Sequence, residues 1–130
     1  MTPHVYFHIP DLKKAQQVVE LGRTLQFTAK PIRQADAGKT VGVLTEIPGA
    51  PTKTEKLPAG YTLPELLIFR DLGDTALDIF LKAYRQAGIP PVSLKAVVTQ
   101  HNKDWSLYAL VEELQQERAA MLLMRQKNVQ

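Results

Sequence analysis

The stretch that decides the fold is Leu66–Val98, LLIFRDLGDTALDIFLKAYRQAGIPPVSLKAVV. It opens with four consecutive apolar residues, the pattern of a strand that is covered on both faces of a sheet. A helical stripe follows, formed by Leu77, Phe80, Leu81 and Tyr84. Gly88 and the two prolines after it stop this helix, and a second apolar run begins at Leu94. The stretch therefore predicts a β-α-β unit.

Residues 1–45 repeat this layout in a weaker form. Val5–Ile9 predicts a strand of β-branched and aromatic residues, which ends at Pro10. Asp11 suits the N-cap of the next helix, because its carboxylate can accept hydrogen bonds from the free amides of the first turn. Phe27–Ile32 predicts a second strand, whose polar content and proline suit a sheet edge. The two halves are compatible with an internal duplication.

Single capping residues predict where the other helices begin. Asp36 can cap a short helix that ends at Pro48, and Asp74 can cap the helix after the third strand. Ser106 can cap a last helix, which runs from about Leu107 towards Met124.

Residues 46–64 join the two halves through a segment with four prolines and two glycines. Such a length is unusual for an unstructured connection in a compact domain. We expect a mobile linker that crosses the surface. The whole chain, residues 1–130, is then a single domain made of the halves 1–45 and 65–124.

Two architectures accommodate this order of elements. One is a small, doubly wound α/β sheet of four parallel strands in the order 2-1-3-4, with helices on both faces. The other is a ferredoxin-like α+β fold, antiparallel in part, with an added C-terminal helix. Both place the first and third strands, which are the most apolar, in the middle. The extra helix after the second strand favours the parallel arrangement.

The composition limits the classes of protein to consider. Apolar residues make up 45% of the chain and charged residues 22%, as in ordinary soluble globular proteins. The absence of cysteine excludes disulfides and thiolate chemistry, and it fits a reducing cytoplasm. The apolar runs fall far short of the roughly twenty residues that a membrane helix requires. The net charge of +3 is dispersed rather than gathered into a basic stripe. We expect a cytoplasmic protein with neither membrane nor nucleic acid as its partner.

The segment Leu94–Leu114, LKAVVTQHNKDWSLYALVEEL, combines a strand ending in threonine, an asparagine, a tryptophan and a leucine-rich acidic helix. These features fall on Lys95, Thr99, Asn102, Trp105, Leu110 and Leu114. The combination resembles a small bacterial family known as domain of unknown function 3783, over roughly residues 63–118. Two positions differ, since the family tends to have proline in place of Gln100 and a small turn in place of Arg70–Gly73. The resemblance implies a shared fold and a common ancestor. It says nothing about activity, because none is established for the family.

Polar residues after the third and fourth strands form the candidate ligand-binding site. In a parallel sheet, ligands bind outside the carboxyl ends of the strands. Arg70 and Asp71 lie at that end of the third strand, and Thr99, His101 and Asn102 follow the fourth. In a ferredoxin-like sheet the two groups would lie at opposite ends, so this site depends on the topology.

The same turn also has a structural explanation. Trp105 and Leu110 occupy the two positions of a hydrophobic staple on either side of a Ser106 cap. Asn102 suits a turn, because its side-chain amide can bond to the nearby backbone.

No other motif carries recognisable chemistry. The segment Ala35–Gly42, ADAGKTVG, resembles a phosphate loop, but Arg33 stands where that motif requires glycine. His4 and His8 lie about 13 Å apart along one strand, which is too far for a shared metal ion. No Gly-x-Ser-x-Gly elbow is present. We expect no catalytic residue, no metal and no cofactor.

The last helix changes character along its length. Its first half carries an apolar stripe that can cover the sheet, whereas Ala119–Met124 is apolar all round. A surface helix requires only one apolar face, so this segment must bury more than the sheet offers. We expect a homodimer interface, formed by Met121, Leu122, Leu123 and Met124. The alternative is a terminal turn packed under the 46–64 connection.

These patterns favour a binding or protein-interaction module without catalytic activity, whose partner is an unknown protein or small molecule. The alternative is a small-ligand-binding or enzymatic domain that uses the carboxyl ends of the strands.

Overall fold

A four-stranded mixed sheet forms the centre of the protein in the computed structural model, which describes residues 2–129, with side chains to Arg125. The strands are β1 His4–His8, β2 Thr28–Pro31, β3 Leu66–Arg70 and β4 Leu94–Val97. The helices are α1 Leu12–Thr24, α2 Val41–Leu44, α3 Asp74–Gln86 and α4 Leu107–Val129, and a 3-10 turn spans Gln34–Asp36. Each strand begins and ends within one residue of its expected bounds.

The strand order is β2-β1-β3-β4 with helices on both faces, so the predicted order and layering are confirmed. The strand directions, however, differ from the all-parallel sheet that we favoured. β1 is parallel to β2, and β3 is parallel to β4, but β1 and β3 are antiparallel, with His4 opposite Arg70. The ferredoxin-like alternative is also wrong, because each β-α-β half keeps its two strands adjacent and parallel.

The handedness of the two β-α-β units explains where their helices lie. A crossover between parallel strands is right-handed in nearly all proteins. Since β2 and β4 lie on opposite sides of the central pair, an all-parallel sheet would send α1 and α3 to opposite faces. Reversing one unit brings both helices to the same face, and they do share one core cluster. The other face is left for α2, α4 and the 46–64 connection.

Each face of the sheet has its own hydrophobic core. On the face of α1 and α3, the fully buried ring of Phe80 has its centroid 5.2 Å from those of Phe27 and Phe69. On the other face, Ile68 packs in a cluster with Leu107 at the start of α4, and both are fully buried. Successive strand residues point to opposite faces. The continuous apolar run of β3 therefore supplies both cores.

Three helix ends follow the local signals in the sequence. Asp11 caps α1, with its Oδ1 accepting from the Lys13 amide at 2.9 Å. Ser106 lies at the start of α4, and its Oγ accepts from the Ala109 amide at 3.0 Å. Gly88 ends α3 with a φ of 72°, a left-handed conformation that glycine adopts readily.

Two expected caps are wrong. Thr40, not Asp36, is the N-cap of α2, and its Oγ1 accepts an amide hydrogen bond at 3.2 Å. The Asp36 carboxylate lies 2.9 Å from Lys39 Nζ instead. Asp74 is the first residue of α3, after Gly73 as the N-cap. In both places the fold, rather than the nearest aspartate, decides where helical geometry begins.

The 46–64 connection packs against the body of the protein, so the expected mobile linker is corrected. Leu63 is 1% exposed. The Gln34 side chain donates to the Tyr61 carbonyl at 3.0 Å and accepts from the Leu63 amide at 2.7 Å. Thr54 forms an isolated antiparallel bridge with Lys39. These contacts hold the connection across the second face of the sheet.

α4 leaves the body of the protein part of the way along its length. Leu107 and Val111 are fully buried, whereas each described residue from Gln115 to Arg125 is exposed. At 1.5 Å per residue, the segment from Gln115 to the end of α4 extends about 22 Å. The alternative in which this segment packs beneath the 46–64 connection is therefore wrong.

Candidate functional site

The two predicted groups of polar residues lie at one edge of the sheet. β3 and β4 are parallel, so Arg70–Asp71 and the Thr99–Asn102 turn follow neighbouring strand ends. Because β1 runs in the opposite direction, this edge also holds its first residue, His4. We call it the carboxyl edge of β3 and β4. The local topology that the candidate site requires is thus present.

The Arg70 guanidinium is occupied by partners within the protein. Its Nη1 donates to the carbonyl oxygen of Thr45, and to that of Glu46 at 3.0 Å, at the end of α2. Its Nε lies 2.9 Å from Asp71 Oδ2 in an ion pair, although the direction does not suit a hydrogen bond. Carbonyl groups at a helix C-terminus have no partner within the helix. Arg70 therefore ties the end of α2 to the end of β3.

A chain of hydrogen bonds runs from Lys30 through Glu46 to Tyr6. Lys30 Nζ donates to Glu46 Oε1 at 2.7 Å, and the Tyr6 hydroxyl donates to Glu46 Oε2 at 3.0 Å. Burial, together with the hydrogen bond to Glu46, raises the pKa of Tyr6. The hydrogen bonds from Lys30 and Tyr6 lower the pKa of the Glu46 carboxyl. The sequence analysis did not predict this chain of hydrogen bonds. The feature that could have indicated it was Tyr6 in an apolar strand, because a buried hydroxyl requires a hydrogen-bond partner.

The side chains of the Thr99–Asn102 turn close the turn itself. Asn102, which is buried, accepts from the Thr99 amide at 2.9 Å and donates to the Val97 carbonyl at 3.0 Å. Thr99 Oγ1 accepts from the amides of His101 and Asn102, at 3.2 and 3.1 Å. Both ends of the Asn102 side-chain amide are therefore engaged in the turn.

The short helix α2 connects the two groups. Its C-terminal end bonds to Arg70, while the amides of Val41 and Gly42 donate to the carbonyls of Trp105 and Lys103 at 2.8 and 2.7 Å. The structure thus brings both groups to one edge, with Arg70 at the C-terminal end of α2 and the residues that follow the Thr99–Asn102 turn at its start. Their role in ligand binding stays a prediction.

His101 is exposed and packs against Trp105. The two ring centroids lie 5.0 Å apart in an edge-on arrangement. Trp105 is half-buried and packs against the core cluster that contains Leu110, as a hydrophobic staple requires.

The phosphate-loop-like segment Ala35–Gly42 uses its glycines for close packing. A Cβ atom at Gly38 would collide with the carbonyl oxygen of Glu55. At Gly42 it would lie 2.8 Å from the carbonyl oxygen of Lys103. The missing side chains therefore admit neighbouring segments of the protein itself.

A groove of about 490 Å³ opens beside Trp105, and we call it the Trp105 groove. Three segments line it: Gly38 and Thr40, then Lys53, Thr54 and Glu55 of the connection, and Asp104, Trp105, Ser106, Ala109 and Glu113 around the start of α4. None of the ligand-binding residues predicted from the sequence lines it. Its three walls are distant in the chain, so no local pattern in the sequence indicates it.

Comparison with known families gives a match in the second half of the chain. Residues 65–121 match the model of a family described as Domain of unknown function (DUF3783). The match runs from β3 into the exposed half of α4 and confirms the predicted resemblance to that family. No curated protein and no solved structure gave a match. The matched range contains the candidate residues at the carboxyl edge, but not Tyr6 or the 38–55 walls of the Trp105 groove.

Among residues 2–129, no helix combines the length and the apolar character required to cross a membrane. The same residues contain no group of three or more His, Asp or Glu side chains arranged to hold a metal ion. The Nδ1 atoms of His4 and His8 are each 2.8 Å from a backbone carbonyl oxygen.

Replacing Asn102 tests whether its role is structural. We expect Asn102→Ala to lower the free energy of unfolding by about 1–3 kcal/mol, because it removes the two part-buried side-chain hydrogen bonds that close the turn. Urea denaturation measures this loss. The control is Gln100→Ala at an exposed position of the same turn, where a change within about 0.5 kcal/mol is expected. Equal stability of the two variants would contradict the structural role and favour a role in ligand binding.

Replacing Glu46 tests the lowered pKa of its carboxyl. A carboxyl whose pKa falls on folding stabilises the protein above its unfolded pKa, near 4.3, and this contribution fades at lower pH. We expect Glu46→Gln to destabilise the protein at pH 7, and the difference from the parent to shrink as pH falls below about 4. Denaturation at a series of pH values measures both. The effect should be smaller in a Lys30→Gln background, and a pH-independent difference would contradict the assignment.

Proposed function

We propose that this chain is a cytoplasmic protein-interaction module that forms a homodimer through the exposed half of α4. One observation carries the proposal. Four consecutive apolar side chains are exposed there, Met121 to 64%, Leu122 to 46%, Leu123 to 60% and Met124 to 65%. Consecutive residues point to different sides of a helix, so the apolar surface surrounds it. Burying such a surface against a partner is favourable by about 25 cal/mol per Å².

The outer strand of the sheet, β4, lies beside α4 and extends this surface. β4 is a terminal strand of the sheet, with unpaired backbone groups on its outer side. A groove of about 260 Å³ lies between it and α4, lined by Leu94, Lys95, Met121 and Leu122 among others. A helix that enters this groove contacts both α4 and the outer strand β4.

The charges along α4 favour a second, antiparallel copy of the same helix. In a two-fold dimer the same pair of contacts occurs twice. If Met121 lies on the axis, Glu117, four residues before it, faces Arg125, four residues after it, in the second copy. Two such ion pairs then flank the apolar centre. A parallel pairing would instead place like charges opposite each other.

The side of α4 that faces β4 is rich in positive charge. Burial lowers the pKa of Lys95, and the nearby charges of Arg118 and Arg85 lower it further. Arg125 lines the same groove, and such a surface favours the carboxylate that Glu117 of a second copy brings to Arg125.

A lysine at the centre of the interface tests the proposal. We expect light scattering after size-exclusion chromatography to give the full chain a molar mass of twice 14.5 kDa. Met121→Lys should weaken the dimer at least tenfold, because it buries two unpaired charges. Leu12→Lys is the matched control, since Leu12 is 72% exposed on α1, away from α4.

Truncation after Arg118 provides a second test of the same interface. The shortened chain should be a monomer that keeps the stability of its core, because the described residues that it lacks are exposed. If the full chain is a monomer, or the truncated chain is a dimer, the proposed interface is wrong.

Exchanging the two charges tests the antiparallel register. Glu117→Arg and Arg125→Glu should each weaken the dimer about tenfold, because each places like charges together at two symmetric positions. The double variant should recover most of the parent affinity. Single losses without recovery in the double variant would contradict the antiparallel register, while the truncation result would still report on the interface itself.

A further inference from the structure

We propose that the Trp105 groove binds a small organic cation, an ammonium or guanidinium group on an apolar stem. The groove adjoins the first half of α4, so this site does not depend on the dimer proposed for the second half. Its volume of about 490 Å³ lies within the usual range for small-molecule sites, roughly 300–1,000 Å³.

The groove is built from parts that the fold holds in place. Residues 38–40 are bridged on one side to Thr54 and on the other to Ser106. The Glu55 amide donates to the Gly38 carbonyl at 2.8 Å, which holds the connection against this segment. Ala109 and Glu113, one turn apart on α4, form part of the opposite wall. The groove is therefore largely formed before any ligand enters it.

Trp105 supplies an aromatic surface for the ligand. Its indole is half-buried, packs partly on the second core cluster and also lines the groove. The face of an indole ring attracts cations through its quadrupole, more strongly than a tyrosine or phenylalanine ring does. The small Ala109 side chain in the wall leaves room beside the ring for an apolar stem.

The charges around the groove determine the sign of the ligand. Three carboxylates line it, those of Glu55, Asp104 and Glu113, against the single ammonium of Lys53. The local net charge is therefore −2, whereas the whole chain carries +3. None of these four groups forms an ion pair within the part of the chain whose side chains are described. An aromatic ring beside unpaired carboxylates is complementary to an organic cation and repels an anion.

The fluorescence of Trp105, the single tryptophan, reports binding in the unmodified full chain. The probes are phenethylammonium chloride and sodium phenylpropionate, which share an aromatic stem and differ in charge. We expect a saturable change with phenethylammonium, with a Kd of about 0.1–1 mM for a ligand of this size. Phenylpropionate should bind at least tenfold more weakly at the same ionic strength.

Three single-charge variants test whether the carboxylates select the cation. Glu113→Gln should weaken phenethylammonium binding about two- to fivefold, as expected for an exposed charge, and Lys53→Gln should tighten it by a similar factor. Glu112→Gln is the matched control, because it removes the same charge from the adjacent residue of α4, which does not line the groove. The Glu112→Gln variant should bind phenethylammonium as tightly as the parent does.

The chemical shifts of backbone amides, measured by NMR, report binding even when the fluorescence of Trp105 does not change. On addition of phenethylammonium, the largest shifts should fall on Gly38, Thr54 and Ala109. Equal affinity for the two probes would overturn the proposal, as would equal affinity of Glu113→Gln and Glu112→Gln. Shifts that fall elsewhere, or their absence at about ten times the expected Kd, would overturn it as well.

Discussion

The antiparallel pairing of β1 and β3 is the constraint on which the rest of the structure depends. It joins the two β-α-β units through central strands that run in opposite directions, with His4 opposite Arg70 and His8 opposite Leu66. Because crossovers between parallel strands are right-handed in nearly all proteins, this reversal accounts for α1 and α3 lying on one face. The second face must then be covered by other parts of the chain, and α2, the first half of α4 and the 46–64 connection cover it. Both proposed sites arise from this division of the two faces.

The polar residues of the carboxyl edge hold this second layer in place. The Thr45 carbonyl accepts from Arg70 and shares the Tyr6 hydroxyl proton with Glu46, so the end of α2 is bound to both central strands. The start of α2 is bound to the turn before α4 through Lys103. A helix as short as α2 has little intrinsic stability, and such tertiary contacts maintain it. The same hydrogen-bonding groups that suggest a ligand site in the sequence thus have structural partners.

α4 links the core of the protein to both proposed sites. Its buried first turns complete the second core, Glu113 carries an unpaired carboxylate in the wall of the Trp105 groove, and its exposed half presents apolar side chains. The sequence of α4 predicted this change of character, because an apolar stripe and an all-round apolar segment are local patterns. It did not indicate the Trp105 groove, because Gly38, Glu55 and Trp105 become neighbours only when the connection folds across the second face.

By itself, the sequence determined the four strands, the amphipathic helices, the Asp11 and Ser106 caps and the resemblance of the second half to a family, and the apolar content of β1 and β3 indicated that these strands are central. These features depend on residue types and on periodicities within a few positions. Only the tertiary structure decided the direction of β3 relative to β1, the cap of α2, the order in the 46–64 connection and the walls of the Trp105 groove. Each of these rests on contacts between residues far apart in the chain, such as Gln34 with Leu63 and Gly42 with Lys103. No local pattern encodes such contacts, because their free energy exists only once both segments are packed against the same sheet.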